Sequence, residues 1–200
     1  MSVIDEPPKT FKEAMERPDF HLWLAAMIDK INSITKHGVW KQANCPTDKN
    51  VVECRWVLTY KRGPNGKILL QLNIKTAFLH GDLDEEIYME QPEGFRDNDK
   101  SVWQLVKALY GLKQAARAFY LRLREVLTRI GFTQCETDHA VFWQREDNKL
   151  AIILAHVDDM LLAGTPRSYL EDIKVDLAKS FDIVDLGEAQ MFVGVKITRD

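Results

Sequence analysis

Leu150-Ala151-Ile152-Ile153-Leu154-Ala155-His156-Val157-Asp158-Asp159-Met160-Leu161-Leu162-Ala163 is the stretch on which the reading of the chain turns. Two apolar runs flank an adjacent pair of acids, the pattern of a β-hairpin whose tip carries both carboxylates. Apolar strands would fix the position of the acids while their charges demand water or a cation, and magnesium is the natural counter-ion. Taken alone, however, an Asp-Asp pair between apolar runs is far more often a polar turn than a metal site. Its meaning depends on what surrounds it.

Working outward, a strand over Ala140 to Trp143 precedes the hairpin. Before that, Phe119, Leu123, Val126, Leu127 and Ile130 give an apolar face to a helix from about Gln114 to Ile130, stopped at Gly131. Further upstream lie a strand over Val102 to Val106, a short helix, and a strand over Ile68 to Ile74 that leaves the Gly63-Pro64-Asn65-Gly66 turn. Val51-Val52 and Arg55-Trp56-Val57-Leu58 carry strand signals. Thr10-Phe11-Lys12-Glu13 is a capping box that opens a first helix, which Pro18 interrupts. A second helix presents Phe20, Leu24, Met27, Ile28, Ile31 and Ile34 as its core stripe and ends at Gly38. Downstream of the hairpin, a helix over Ser168 to Ser180 turns Leu170, Ile173 and Leu177 inward, and strand segments follow near Phe181 to Val184 and Met191 to Ile197. Helices interleaved with hairpins predict an α+β layered fold. The one candidate boundary is the Gly63-to-Gly66 turn, dividing residues 1–66 from 67–200.

Composition narrows the classes. At 200 residues and 46% hydrophobic content the chain can bury a real core. It has neither a run long enough to span a bilayer nor a signal peptide's basic and apolar regions at Met1 to Pro8, so an intracellular protein, cytoplasmic or nuclear, is expected. Cys45, Cys54 and Cys135 are odd in number and lack a Cys-x-x-Cys pair, which argues for reduced, packed thiols. The net charge of −3 gives no general attraction to phosphate, yet charge is segregated. Acids dominate from Asp82 to Asp99, while Lys100, Lys107, Lys113, Arg117, Arg122, Arg124 and Arg129 follow against Glu125 alone. Those bases could track a phosphate backbone if they share a face, although a solvated helix face is the commoner reason for such a run.

Four motifs occur in a fixed order: Gln71-Leu72-Asn73-Ile74-Lys75-Thr76-Ala77-Phe78-Leu79-His80-Gly81, Tyr88-Met89-Glu90-Gln91-Pro92-Glu93-Gly94-Phe95, Leu109-Tyr110-Gly111-Leu112-Lys113-Gln114-Ala115, and His156-Val157-Asp158-Asp159-Met160-Leu161. With Glu6 to Ala14 at one end and Asp185-Leu186-Gly187-Glu188 and Phe192-Val193-Gly194-Val195 at the other, the chain resembles the Ty1/copia-type retrotransposon reverse transcriptase nearly end to end.

That resemblance implies a right-hand polymerase palm with a mainly antiparallel sheet backed by helices, plus a partial fingers region. It also implies an RNA or DNA template-primer and dNTPs as partners, and Mg2+, with Mn2+ as the more tolerant substitute, as the cofactor. By resemblance Asp158 is the main metal ligand and Asp159 its weaker neighbour. Phe78 closes the sugar pocket, although a core Phe is an equal reading. Tyr110, Gly111, Lys113 and Gln114 belong to the loop under the templating base and incoming nucleotide, and Phe192 and Gly194 to the primer grip.

Four departures stand against full activity. Asn73 occupies the place of the family's first metal-binding Asp and brings no negative charge. His156 replaces the Tyr of the usual hairpin, and Ala116 a usual Pro. Between Gly66 and Leu70 the family has several dozen further residues, including a basic strand pair that holds the triphosphate. The expectation is therefore a fragment of a Pol polyprotein reverse transcriptase with impaired catalysis. The alternatives are a manganese-tolerant active polymerase, an unstable decayed product, and a non-catalytic nucleic-acid-binding or assembly module.

Overall fold

A computed structural model describes residues 7–58, 70–97 and 101–197. The Gly63-to-Gly66 turn and residues 68–69 of the expected strand lie outside them. The described residues form two compact units, one within Met1–Arg62 and Asp82–Leu109, the other within Gly63–Gly81 and Tyr110–Asp200. Residues 82–109, assigned from sequence to the second part of the chain, thus belong with the first unit. The reason is strand pairing across a long sequence separation.

In the first unit the capping box forms: the Glu13 amide donates to Thr10 Oγ1 at 3.1 Å, and Glu13 Oε2 accepts from the Lys9 amide at 2.9 Å. It opens α1 (Phe11–Met15), and α2 (Phe20–Lys36) follows. The buried residues of α2 are Trp23, Met27 and Ile34, of which Trp23 and Met27 pack with Ala14 and the partly buried Trp56 and Phe95; Phe20 and Ile28 are exposed. Trp23 joins the expected Met27 and Ile34 because an indole can pack its apolar body against Ala14 and Met27 while Nε1 donates to Asp19 at 3.1 Å.

Strands β1 (Trp40–Asn44) and β2 (Val51–Val52) join β4 (Asp82–Met89) and β5 (Ser101–Lys107) in the order β1-β5-β4-β2. Trp40 and Trp103 stack at 4.1 Å within this sheet. Arg55 to Leu58, read as a strand, is irregular. Conversely, β4 hides in the acidic run: Asp82, Asp84, Glu85 and Glu86 are exposed while Met89 is buried, so pairing with β5 overrides a poor β propensity.

The second unit is built on β3 (Leu70–Ile74), β6 (Thr133–Gln134), β7 (Val141–Glu146), β8 (Lys149–His156), β9 (Asp159–Thr165) and β10 (Ile183–Glu188). They form an entirely antiparallel sheet in the order β10-β3-β9-β8-β7-β6. Helices α3 (Ala115–Arg129) and α4 (Arg167–Ala178) both pack on one face of it. That face presents Leu72, Ile74, Phe142, Ala151, Ile153, Met160 and Leu162, each at most 1% exposed, against Phe119, Leu123 and Leu127 of α3 and Leu170, Ile173 and Leu177 of α4. Alternation by two sends Asn73, Ile152, Asp159 and Leu161 to the other face.

Between β3 and α3, a single turn of 3-10 helix, Ala77–His80, ends at Gly81. A Cβ at Gly81 would lie 2.7 Å from the Phe119 amide nitrogen, so only glycine lets this connection seat on α3. A small hairpin, β11 (Met191–Phe192) with β12 (Val195–Lys196), completes the unit. The α+β expectation holds, with antiparallel pairing dominant in both larger sheets; among the described residues only β2 and β4 run parallel.

Candidate functional site

The site sits where β3, β8 and β9 meet at one end of the six-stranded sheet. Asn73 is the cross-strand partner of Asp159, and Asp159 in turn pairs with His156 on the far side. The hairpin turn is therefore Val157-Asp158, and Asp159 is the first residue of β9. The sequence reading that put both acids at the tip is corrected to one acid in the turn and one on the strand, because a two-residue turn closes the His156–Asp159 pair. Val157 takes the first turn position with φ of +55°, a conformation usually left to Gly and costly for a β-branched side chain. The Ile74 amide donates to the Asp158 carbonyl at 2.8 Å and pins the turn to β3.

Asn73 closes the cluster. Its Nδ2 donates to Asp158 Oδ2 at 3.2 Å and to Asp159 Oδ1 at 3.1 Å, all three side chains being part-buried. The orientation follows from charge: turned the other way, the amide oxygen would face two carboxylates. A divalent cation needs oxygens converging on one point, and here the third corner presents hydrogens instead. Among the described residues no three or more His, Cys, Asp or Glu side chains converge as a metal group. As arranged, these side chains do not fit the metal expected at this place.

The remaining predicted residues form two further groups. Phe78, half-buried on the 3-10 turn, contacts the exposed Tyr110 ring at 5.5 Å and meets Phe119 edge-on at 6.3 Å. Phe78 therefore packs against the core through Phe119 while also touching an exposed aromatic. Gly111 has φ of +102°, which lets the loop reverse before α3, and Lys113 is exposed beside it, while Gln114 stands at the start of α3. On the open face of the sheet, Phe192 packs edge-on to His156 at 6.4 Å. The β11–β12 turn is Val193-Gly194, both at positive φ. Leu154, His156, Leu161, Phe192, Val193 and Val195 line an open apolar hollow of about 320 Å³.

The basic run does not share one face. Arg117 and Arg124, seven residues apart, are exposed on one side of α3; Arg122 and Arg129 lie on another, where Arg122 pairs with Glu125 at 2.7 Å and Arg129 donates to Ser180 at 2.8 Å. The three cysteines are free, and Cys45 is exposed rather than packed. Among the described residues, no helix is long and apolar enough to cross a membrane.

Sequence reasoning missed the strained Val157 and Val193 turns. The signal was available for Val157: a period-two count from the buried Ile153 and Met160 leaves two residues for the turn.

Comparison with known proteins bears on this geometry directly. The reverse transcriptase (RNA-dependent DNA polymerase) family matches residues 62–200, which include every strand of the six-stranded sheet. A retrovirus-related Pol polyprotein from transposon TNT 1-94 of Nicotiana tabacum is 33% identical over 245 residues, covering 98% of this chain and 18% of the relative. A Pol polyprotein from transposon RE1 of Arabidopsis thaliana is 28% identical, covering 98% of this chain and 16% of its own length. A putative transposon Ty5-1 protein of Saccharomyces cerevisiae is 34% identical over 63% of this chain and 42% of its own length. The chain spans less than a fifth of the plant relatives, and the 245 aligned positions exceed its 200 residues, so the tobacco relative carries internal residues that this chain lacks. The chain belongs to the reverse transcriptase (RNA-dependent DNA polymerase) family and is a fragment homologous to the reverse transcriptase region of Ty1/copia-type retrotransposon Pol polyproteins.

Proposed function

We propose that this domain is a reverse-transcriptase palm, with part of a fingers region, that keeps its acid hairpin and has lost most or all polymerisation. The observation that carries the loss is Asn73, a neutral amide whose hydrogens point at Asp158 and Asp159 where the family places a third carboxylate. Family activity is RNA-directed DNA polymerisation on a template-primer with dNTPs, generally with a divalent metal. A charge-neutral corner removes part of the electrostatic stabilisation such a transfer requires. The internal residues missing relative to the plant elements are a second, independent deficit.

In this reading the six-stranded sheet with α3 and α4 is the palm. Phe78 and Tyr110 form the wall of the nucleotide pocket, and Gly111 lets the loop approach the template while Lys113 meets phosphate and Gln114 holds the loop at α3. Phe192 and Gly194 shape the primer grip. Asp158 and Asp159 are what remains of the catalytic set. Exposed Lys113, Arg117 and Arg124 supply phosphate contacts that need no metal, which favours a retained template-primer affinity as the second reading.

The test is primer extension on a polyribonucleotide template with Mg2+ or Mn2+, run beside fluorescence-anisotropy binding of the same template-primer. The chain as given, Asn73→Asp and Asp158→Ala are compared. Binding without extension by the chain as given is the expected result. Extension that disappears in Asp158→Ala would overturn the proposal. Recovery in Asn73→Asp assigns the loss to residue 73, and continued inactivity assigns it to the missing segment.

A further inference from the structure

We infer that the Asn73 carboxamide substitutes for the cation, so that the acid hairpin holds its shape without divalent metal and no longer binds one. This rests on the reading of Asp158 and Asp159 as a former metal pair and says what now occupies its place.

Three observations carry it. First, one nitrogen bridges both acids, with its two hydrogens available for Asp158 Oδ2 at 3.2 Å and Asp159 Oδ1 at 3.1 Å. Second, the bridge is built into the sheet. β3 is hydrogen-bonded on both sides, Asn73 pairing with Asp159 on β9 and with Val184 on β10, and the Ile74 amide holds the Asp158 carbonyl. The side chain is thus delivered to the acids by a backbone that cannot shift without breaking two ladders. Third, among the described residues neither carboxylate takes part in an ion pair, so the amide is the group that answers their charge.

Asn73 could serve as a metal ligand only if both hydrogen bonds broke and the amide turned over to present its oxygen. It would then meet two charged oxygens where the family's arrangement offers a third. Asn73→Asp reverses the logic: three carboxylates crowd one corner and repel unless a cation joins them.

The experiment is Mn2+ binding followed by electron paramagnetic resonance, with thermal unfolding of the same samples in EDTA and in Mn2+. The chain as given is expected to show no saturable Mn2+ site that depends on Asp158 and the same Tm in both media. Asn73→Asp should gain a saturable Mn2+ site, since affinity follows ligand charge. Its Tm should fall in EDTA and recover with Mn2+. Mn2+ binding by the chain as given that Asp158→Ala abolishes would overturn the inference, as would an Asn73→Asp Tm in EDTA equal to that of the chain as given. Because the first arm uses the unaltered chain, poor folding of a variant does not shelter the claim. Failure to bind template-primer would defeat the retained-affinity reading alone and leave this result standing, whereas Asp158-dependent primer extension would overturn the proposed function itself.

Discussion

On the face of the six-stranded sheet that α3 and α4 cover, Leu72, Ile74, Phe142, Ile153, Met160 and Leu162 are sealed from water. The opposite face of the same strands carries Asn73, His156 and Asp159 at one end, with Ile152 and Trp143 37% and 43% exposed further along. The first face obeys a single demand, to remove apolar surface from water, and any residues of suitable size and shape would satisfy it. The second must hold particular atoms at particular distances, and a change of one atom type, carboxylate oxygen to amide nitrogen, alters what it can do.

The largest effect that separates the faces is expected at Phe142. Truncation to Ala should cost about 3–5 kcal/mol by removing fully buried area and leaving a cavity. Urea unfolding would read it, and a smaller loss would mean that the covered face is loosely packed.

Next comes Asn73→Leu, which keeps the volume and deletes the two donors to Asp158 and Asp159. Leaving both acids unanswered should cost about 1–3 kcal/mol, on a face where most substitutions are cheap.

A third effect ties the rim of the covered face to pH. Lys174 of α4, 12% exposed, donates to Asp185 of β10 at 2.7 Å and to Glu171 at 3.0 Å. Burial pulls its ammonium down, but the hydrogen bonds from Asp185 and Glu171 outweigh it and raise the group above the usual Lys range. Burial likewise pushes the Asp185 carboxyl up, and the Lys174 and Gly187 hydrogen bonds bring it below the usual Asp range. A lowered carboxyl stabilises the fold above its unfolded pKa and loses that contribution as pH falls through its folded value; the raised Lys174 contributes below its unfolded pKa and is lost as pH rises through its folded one. Asp185→Asn should therefore cost about 0.2–1 kcal/mol near pH 7, discounted for the 44% exposure of the acid, and less near pH 2. Unfolding at both pH values checks the sign. The smallest effect is Ile152→Thr, expected within about 0.5 kcal/mol on thermal unfolding, because its side chain faces the open side.

The covered face was legible because burial imposes a period. The run from Leu150 to Ala163, the stripe of α3 and the inward residues of α4 all declared themselves by spacing alone, and the ordered motifs disclosed the family. What spacing could not disclose was local competition. The α2 stripe moved to Trp23, which is buried while Phe20 and Ile28 are exposed, and β4 stayed hidden because four acids mask a strand that pairing with β5 stabilises. The site was half legible: Asp158 and Asp159 stood out as paired charges among apolar residues, and Asn73 as a missing charge. That its nitrogen would bridge both acids depends on β3 lying beside β9, a pairing between residues more than eighty positions apart.

The most direct test is the amide itself. In a 15N-labelled sample, the side-chain resonances of Asn73, assigned by their disappearance in Asn73→Asp, should show two well-separated hydrogens protected from solvent exchange, with shifts unchanged between EDTA and saturating Mg2+. Rapid exchange of those hydrogens, or resonances that move on adding Mg2+, would contradict the account, because they would mean that the carboxamide is free to leave Asp158 and Asp159 to a metal.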